Sequence, residues 1–222
     1  FALQGPNFDG HAYVEAAGER GAAAAAVSQP CTTALPQITV DNTRLALGRL
    51  AADWRRRFTL PVIGITGSNG KTTVRAMSAA ILARCGRTLA TRGNLNNDIG
   101  LPLTLARLDA EDRFAIIEMG ANHAGEIDYL AGLAKPTIAV VTNIDKEHLD
   151  FYADLEAIKT VFLNFLDRIP FYGLAVLCLD NEPIQDLIPQ MKKRYTTYGM
   201  TSQADFQIRD VEFGQQKSRF DI

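Results

Sequence analysis

A chain of 222 residues, 47% of them hydrophobic, has enough apolar surface for one large domain or for a domain plus a fragment. Its 23 basic and 25 acidic residues nearly cancel, with no basic block and no basic-aromatic alternation, which argues against nucleic acid as a partner. No apolar run nears the roughly 20 residues that cross a bilayer, no basic leader with a small-residue cleavage site is visible, and Cys31, Cys85 and Cys178 lack disulfide or zinc spacing, so a cytoplasmic location is expected.

The first forty residues predict a helix after Asp9, a buried strand in the alanine run ending at Val27 despite its helical propensity, and a second strand at "PQITV". Asp41 or Thr43 is then placed to cap a helix carrying Leu45, Leu47, Leu50 and Trp54. A domain boundary is expected near Asp41, with residues 1–41 a partial N-terminal α/β substrate domain and residues 42–222 a central domain.

From residue 60 onward short apolar runs alternate with helical patterns. The expected strands span 60–66, 113–119, 137–144 and 173–179, and they are continuously apolar, as strands buried on both faces are. Between them Val74, Met77, Ile81 and Cys85 recur at helical spacing ahead of Gly86, so a helix over 71–85 is expected to turn that stripe inward. Leu155, Ile158, Phe162 and Phe165 repeat the pattern before Pro170. The expected fold class is α/β, a mostly parallel sheet with helices on both faces and a phosphate loop. After Tyr195, "DFQIRDVEF" and "SRFDI" around "GQQ" predict an antiparallel hairpin. The opening "FALQG" and closing "KSRFDI" read as cut ends, so a longer protein is expected.

The stretch "GITGSNGKTTV" carries the chemistry. A strand ending at Thr66, a turn with Gly67 and Gly70, and a helix starting near Lys71 bring main-chain N–H groups and a positive helix terminus to one point, which suits phosphate. The glycine spacing is not that of the common phosphate loop, because Gly64 comes one place too early and Gly67 two places too late. Residues Gly67, Ser68, Asn69, Gly70, Lys71, Thr72 and Thr73 are the expected nucleotide site, with Lys71 on the β- and γ-phosphates and the Thr72 hydroxyl on Mg²⁺. Glu118 ends a neighbouring strand and reads either as a solvated terminus or as a second oxygen ligand. His123 and His148 also follow strand ends. His148, among Asn143, Glu147 and Asp150, is the better ligand candidate.

In order, "GSNGKTT", "EMGANHAGEI" and "TNIDKEHLD" resemble the ATP-dependent Mur ligases of peptidoglycan synthesis, whose phosphate loop resembles Thr-Gly-x-x-Gly-Lys-Thr. Residues 1–135, with "FDGH" and "GNLNNDIGLPLTL", are similar to members that join D-Ala-D-Ala to UDP-N-acetylmuramoyl-tripeptide. From about Thr142, "PFYGLAVLC" and its surroundings look like members that join L-Ala to UDP-N-acetylmuramate, so the chain reads as a mosaic or chimera with a seam near residues 136–142.

The resemblance implies an ADP-forming ligase using ATP and Mg²⁺ through an acyl phosphate, with a UDP-N-acetylmuramoyl-peptide and D-Ala-D-Ala as substrates. It implies that Lys71, Glu118, His148 and Lys159 are catalytic, that Thr72, Glu118 and His148 hold metal, and that Lys159 is the nearest match to a carbamylated lysine. Asn94, Asn96, Asn97 and His123 are implied to face the UDP-sugar peptide, although "NLNND" on composition alone is a polar turn. A monomer is expected, without the C-terminal domain that delivers the amine.

Overall fold

The computed structural model describes residues 1–120, 125–145, 154–215 and 217–222. The chain before residue 42 forms two small pairings. An antiparallel ribbon joins β1 (Gln4–Gly5) to β2 (Phe8–Asp9), and after a 3₁₀ turn at Gly10–Tyr13 and helix α1 (Val14–Glu19), β3 (Ala25–Val27) pairs in parallel with β4 (Gln37–Thr39). Ala2, Val14, Ala25 and Val27 close a small core of their own. The alanine run becomes a strand because its alternate residues Ala25 and Val27 are covered while a partner strand takes its main-chain groups.

Helix α2 (Thr43–Arg56) is capped by Asn42, whose side chain accepts from the Leu45 N–H, rather than by Asp41 or Thr43. Thr43 instead donates its hydroxyl to the Ala2 carbonyl. The buried face of α2 is Leu47, Gly48, Ala51, Ala52 and Arg55, with Leu45 and Leu50 exposed. Gly48 lets Tyr129 of the neighbouring helix lie close, since a Cβ there would sit 2.1 Å from the Tyr129 oxygen. Arg55, buried, donates to the Ala134, Phe58 and Lys135 carbonyls, and burial pushes its pKa down.

Among the described residues the main sheet has seven parallel strands. In chain order they are β5 (Val62–Thr66), β6 (Thr88–Ala90), β7 (Phe114–Glu118), β8 (Ile138–Val141), β9 (Leu174–Cys178), β10 (Tyr195–Gly199) and β11 (Phe206–Gln207). Their spatial order is β11, β10, β9, β8, β5, β7, β6. The intervening helices are α3 (Lys71–Leu82), α4 (Gly100–Leu105), α5 (Glu126–Ala134), α6 (Leu155–Asp167) and α7 (Glu182–Gln185). The chain leaves β5 toward one edge and later returns past it to β8, so the strand order reverses at β5. That reversal opens a crevice at the carboxyl ends of the strands, where ligands of such sheets bind.

Both sheet faces are covered, which is why the strands read as unbroken apolar runs. Ala115, Ile117, Ala139, Val141, Ala175 and Leu177 join Phe162, Phe165, Leu130 and Ala51 in the larger core. Ile65, Ile116 and Val140 face the other way, toward α3. There the sequence expectation is corrected: Met77 and Ile81 are exposed, and α3 packs through Val74, Ala79 and Leu82. On an alanine-rich helix two stripes fit the 3.6-residue period, and only the sheet decides between them. Gly64 faces the larger core, where Met119, Pro136 and Phe165 fill the space a side chain would need.

Two further expectations shift. The 137–144 strand stops at Val141, and Thr142 onward turns toward the phosphate loop. The terminal hairpin forms between β12 (Arg209–Phe213) and β13 (Ser218–Asp221), but Phe206 and Gln207 belong to the main sheet as its edge strand. Among the described residues no helix is long and apolar enough to cross a membrane.

Candidate nucleotide and metal site

At the end of β5 the chain reverses through Gly67 and Gly70 into α3. Gly67 has φ +130°, and a Cβ there would lie 2.2 Å from the Thr142 hydroxyl, so both conformation and space require glycine. Gly70, at φ +80°, occupies the N-cap position without a side-chain cap. The donors of the first α3 turn therefore face outward at the positive end of the helix.

The loop is held from β8. Asn143 accepts the Ser68 N–H on its carbonyl at 3.0 Å and the Asn69 N–H on Oδ1 at 2.8 Å, and its Nδ2 donates back to the Asn69 carbonyl at 3.1 Å. The Thr142 hydroxyl donates to the same carbonyl at 2.6 Å, and the Asp145 N–H donates to Ser68 Oγ at 2.9 Å. Sequence reading placed Asn143 only as a neighbour of His148. Its grip on the loop was invisible because residues 69 and 143 are far apart in the chain and meet only when β5 and β8 pair.

Lys71 Nζ donates to the Gly67 and Ser68 carbonyls at 2.6 and 2.7 Å, which holds the ammonium across the mouth of the loop. One residue on, the Thr72 hydroxyl lies 3.2 Å from both oxygens of Glu118. The Glu118 side chain is only 2% exposed, so its charge must be met inside the protein. Asn96 Nδ2 donates to Oε1 at 3.0 Å, Arg75 Nη1 lies 3.4 Å from Oε2, and the Glu118 N–H is held by the Thr91 hydroxyl at 3.0 Å. Arg75 and Thr91 escaped the sequence reading. The one available signal for Arg75 was its position one helical turn from Lys71 and Thr72.

Thr72 and Asn96 thus converge on Glu118, and Lys71 lies beside Thr72 with its ammonium on the loop carbonyls. The other expected residues sit differently. Asn97 accepts the Ile99 and Gly100 N–H groups on Oδ1 and so fixes the start of α4, while Asn94 contributes its carbonyl to the Asn96 N–H. Lys159 is held by Asp186 at 2.6 Å and Glu156 at 2.8 Å, and these hydrogen bonds raise its pKa. A lysine kept as ammonium in that way is disfavoured for carbamylation, which needs the neutral amine. His123 and His148 lie outside the described residues. Among the described residues no group of three His, Cys, Asp or Glu side chains is gathered as a metal cluster. The donors that do meet, a threonine hydroxyl and a carboxylate, are hard oxygens of the kind Mg²⁺ takes alongside phosphate and water.

Residues 65–222 match the family model described as Mur ligase middle domain. The chain belongs to the Mur ligase family. Relatives of this Mur ligase chain include the UDP-N-acetylmuramoyl-tripeptide–D-alanyl-D-alanine ligase of Haemophilus influenzae, 45% identical over 227 aligned residues, covering 100% of this chain and 49% of that protein. The UDP-N-acetylmuramate–L-alanine ligase of Geotalea uraniireducens is 50% identical over 151 residues, covering 67% of this chain and 31% of its own. Among solved structures, the MurF ligase of Thermotoga maritima in complex with ADP aligns with a TM-score of 0.88 and 26% identity over 99% of this chain and 51% of that one. The chain therefore spans about half or less of the length of the relatives it matches.

Both ligase types suggested by the sequence appear among the relatives. The H. influenzae match spans the whole chain, the stretch 136–142 included, while the G. uraniireducens match covers 67% of it. That stretch contains all of β8, which pairs with β5 on one side and β9 on the other without a register break.

Proposed function

We propose that this chain is the nucleotide-binding part of an ATP-dependent amide ligase that adds D-Ala-D-Ala to a UDP-N-acetylmuramoyl-tripeptide, acting in the cytoplasm as a monomer. The observation that carries the reading is the meeting of Thr72 and Glu118 where α3 faces the end of β7, one residue after Lys71 crosses the mouth of the phosphate loop. The ligase type rests on the full-length relative and on the similarity to MurF. Residues 1–41 are then part of a UDP-sugar domain, the rest of the chain is the central domain, and the amine-delivering domain lies in the portion of the relatives beyond this chain.

In this reading the phosphates of ATP lie over Gly67 to Thr73, and Lys71 turns from the loop carbonyls to the β- and γ-phosphates. Thr72 and Glu118 hold Mg²⁺, with His148 as the candidate ligand of a second ion. The metal supplies charge neutralisation on the phosphate oxygens. The loop amides and α3 terminus orient the γ-phosphate for attack by the substrate carboxylate, which displaces ADP, and Asn96 faces that substrate, with His123 a further candidate. The amine then attacks the acyl carbon, forming the amide bond and releasing inorganic phosphate. A site built from fixed donors suits such chemistry, because their orientation is set by folding before the reaction begins.

Two alternatives are separable by assay. One is an L-Ala-adding ligase, favoured by the G. uraniireducens match, and the other is a nucleotide-binding unit without catalysis. Calorimetric ADP binding with Mg²⁺, comparing the chain with Lys71→Ala and Glu118→Gln, tests the site itself. Lys71→Ala is expected to lose binding and Glu118→Gln to lose its magnesium dependence. Unchanged binding in Lys71→Ala would refute the assignment. Phosphate release with each pair of substrates, in the protein extended to the relatives' length, then distinguishes the ligase types.

A further inference from the structure

Arg75 stands on α3 one turn beyond Lys71 and Thr72, and its side chain is 11% exposed. Its Nη1 donates to the Gly93 carbonyl at 2.8 Å and lies 3.4 Å from Glu118 Oε2. Gly93 opens the segment containing Asn94, Asn96 and Asn97, whose other anchors are Asn96 to Glu118, the Gly120 N–H to the Asn96 carbonyl, and Arg44 to Asp98 at 3.1 Å. One guanidinium thus spans the carboxylate assigned to the metal and the first residue of the asparagine loop.

We propose that Arg75 is a positioning residue that couples divalent-cation binding at Glu118 to the ordering of the 93–98 loop. The inference rests on the reading of Glu118 as a metal ligand. A dication on Glu118 and the Arg75 guanidinium are rivals for one buried negative charge, and burial keeps solvent from screening that rivalry. As the metal takes up the carboxylate, the hold of Glu118 on Arg75 weakens and the guanidinium settles on the Gly93 carbonyl. The loop on the substrate side of the crevice is then tightened by an event on the nucleotide side. The coupling is reciprocal: a substrate that orders the loop draws Arg75 from Glu118 and favours the metal.

Two readouts on this chain test the coupling: the Mg²⁺ concentration giving half-maximal ADP binding, and amide hydrogen exchange across 92–98. In the unaltered chain, Mg²⁺ with ADP is expected to slow exchange in that loop. Arg75→Met is expected to lower the half-saturating Mg²⁺ at least threefold while speeding loop exchange about tenfold and removing its response to Mg²⁺ with ADP. Arg75→Lys keeps the charge and is expected to hold the Mg²⁺ requirement within twofold. Because Arg75→Met leaves Glu118 without its cation and is liable to misfold, Arg75→Met/Glu118→Gln removes both charges, and its loop exchange is still expected to be fast.

Overturning results are a half-saturating Mg²⁺ that rises or stays within twofold in Arg75→Met, or unchanged exchange at 92–98 in either Met variant. Glu118→Gln alone separates the failures. If its Mg²⁺ dependence matches the unaltered chain, the metal reading of Glu118 falls and this inference with it. If that dependence is lost while Arg75→Met behaves normally, only the coupling falls.

Discussion

Replacing Asn143 with alanine removes its own two side-chain hydrogen bonds to the phosphate loop, those between Oδ1 and the Asn69 N–H and between Nδ2 and the Asn69 carbonyl. Each is worth about 1 kcal/mol net, so about 2 kcal/mol of local restraint is at stake. Asn69 is exposed, and water replaces part of what is lost. The loop also keeps its bonds from the Asn143 carbonyl, the Thr142 hydroxyl and the Asp145 N–H. A loss of about 1 to 2 kcal/mol in the bound geometry corresponds to ADP binding weaker by roughly 5- to 30-fold. Thermal unfolding is expected to move little, because the pair lies outside the core. Calorimetry with ADP and Mg²⁺ measures the affinity, and hydrogen exchange over 67–70 reports the loop. Affinity that is unchanged or tighter, with exchange unaltered, would show that Asn143 does not set the loop.

Phe165→Ala opens a cavity beneath Gly64 in the larger core and is expected to cost about 3 to 5 kcal/mol in denaturant unfolding; a cost under about 1 kcal/mol would mean that the helix closes the gap. Asp9 has its carboxyl pulled from 3.8 to about 2, first by the His11 main-chain N–H, then by the His11 ring and the Gln4 amide. A lowered folded-state pKa gives stabilisation that is complete above the unfolded value and fades as pH falls through the folded one. The stability gap between the unaltered chain and Asp9→Asn should therefore be steady above about pH 5 and close toward about pH 2. A gap that does not change with pH over that window would assign the Asp9 interactions no role in acid stability.

What the sequence by itself determined was the content of the site loop and the architecture around it. The apolar runs at 60–66, 113–119 and 173–179 became β5, β7 and β9, because a strand buried on both faces must be apolar throughout, and that pattern survives without neighbours in view. The glycine, lysine and threonine of 67–73 were legible for a similar reason, since a tight turn into a helix is specified by adjacent residues. Tertiary structure alone decided which stripe of α3 packs inward, which residue caps α2, and that Phe206 and Gln207 join the main sheet. It also decided the partners of the loop. Thr142 and Asn143 reach Asn69 only through the pairing of β8 with β5, and Arg75, Thr91 and Asn96 meet Glu118 only where β7, α3 and the asparagine loop come together. Lys159 marks the same limit from the other side. The resemblance made it the nearest match to a carbamylated lysine, and the fold brings Asp186 to its ammonium, because contacts between residues distant in the chain depend on how the elements pack.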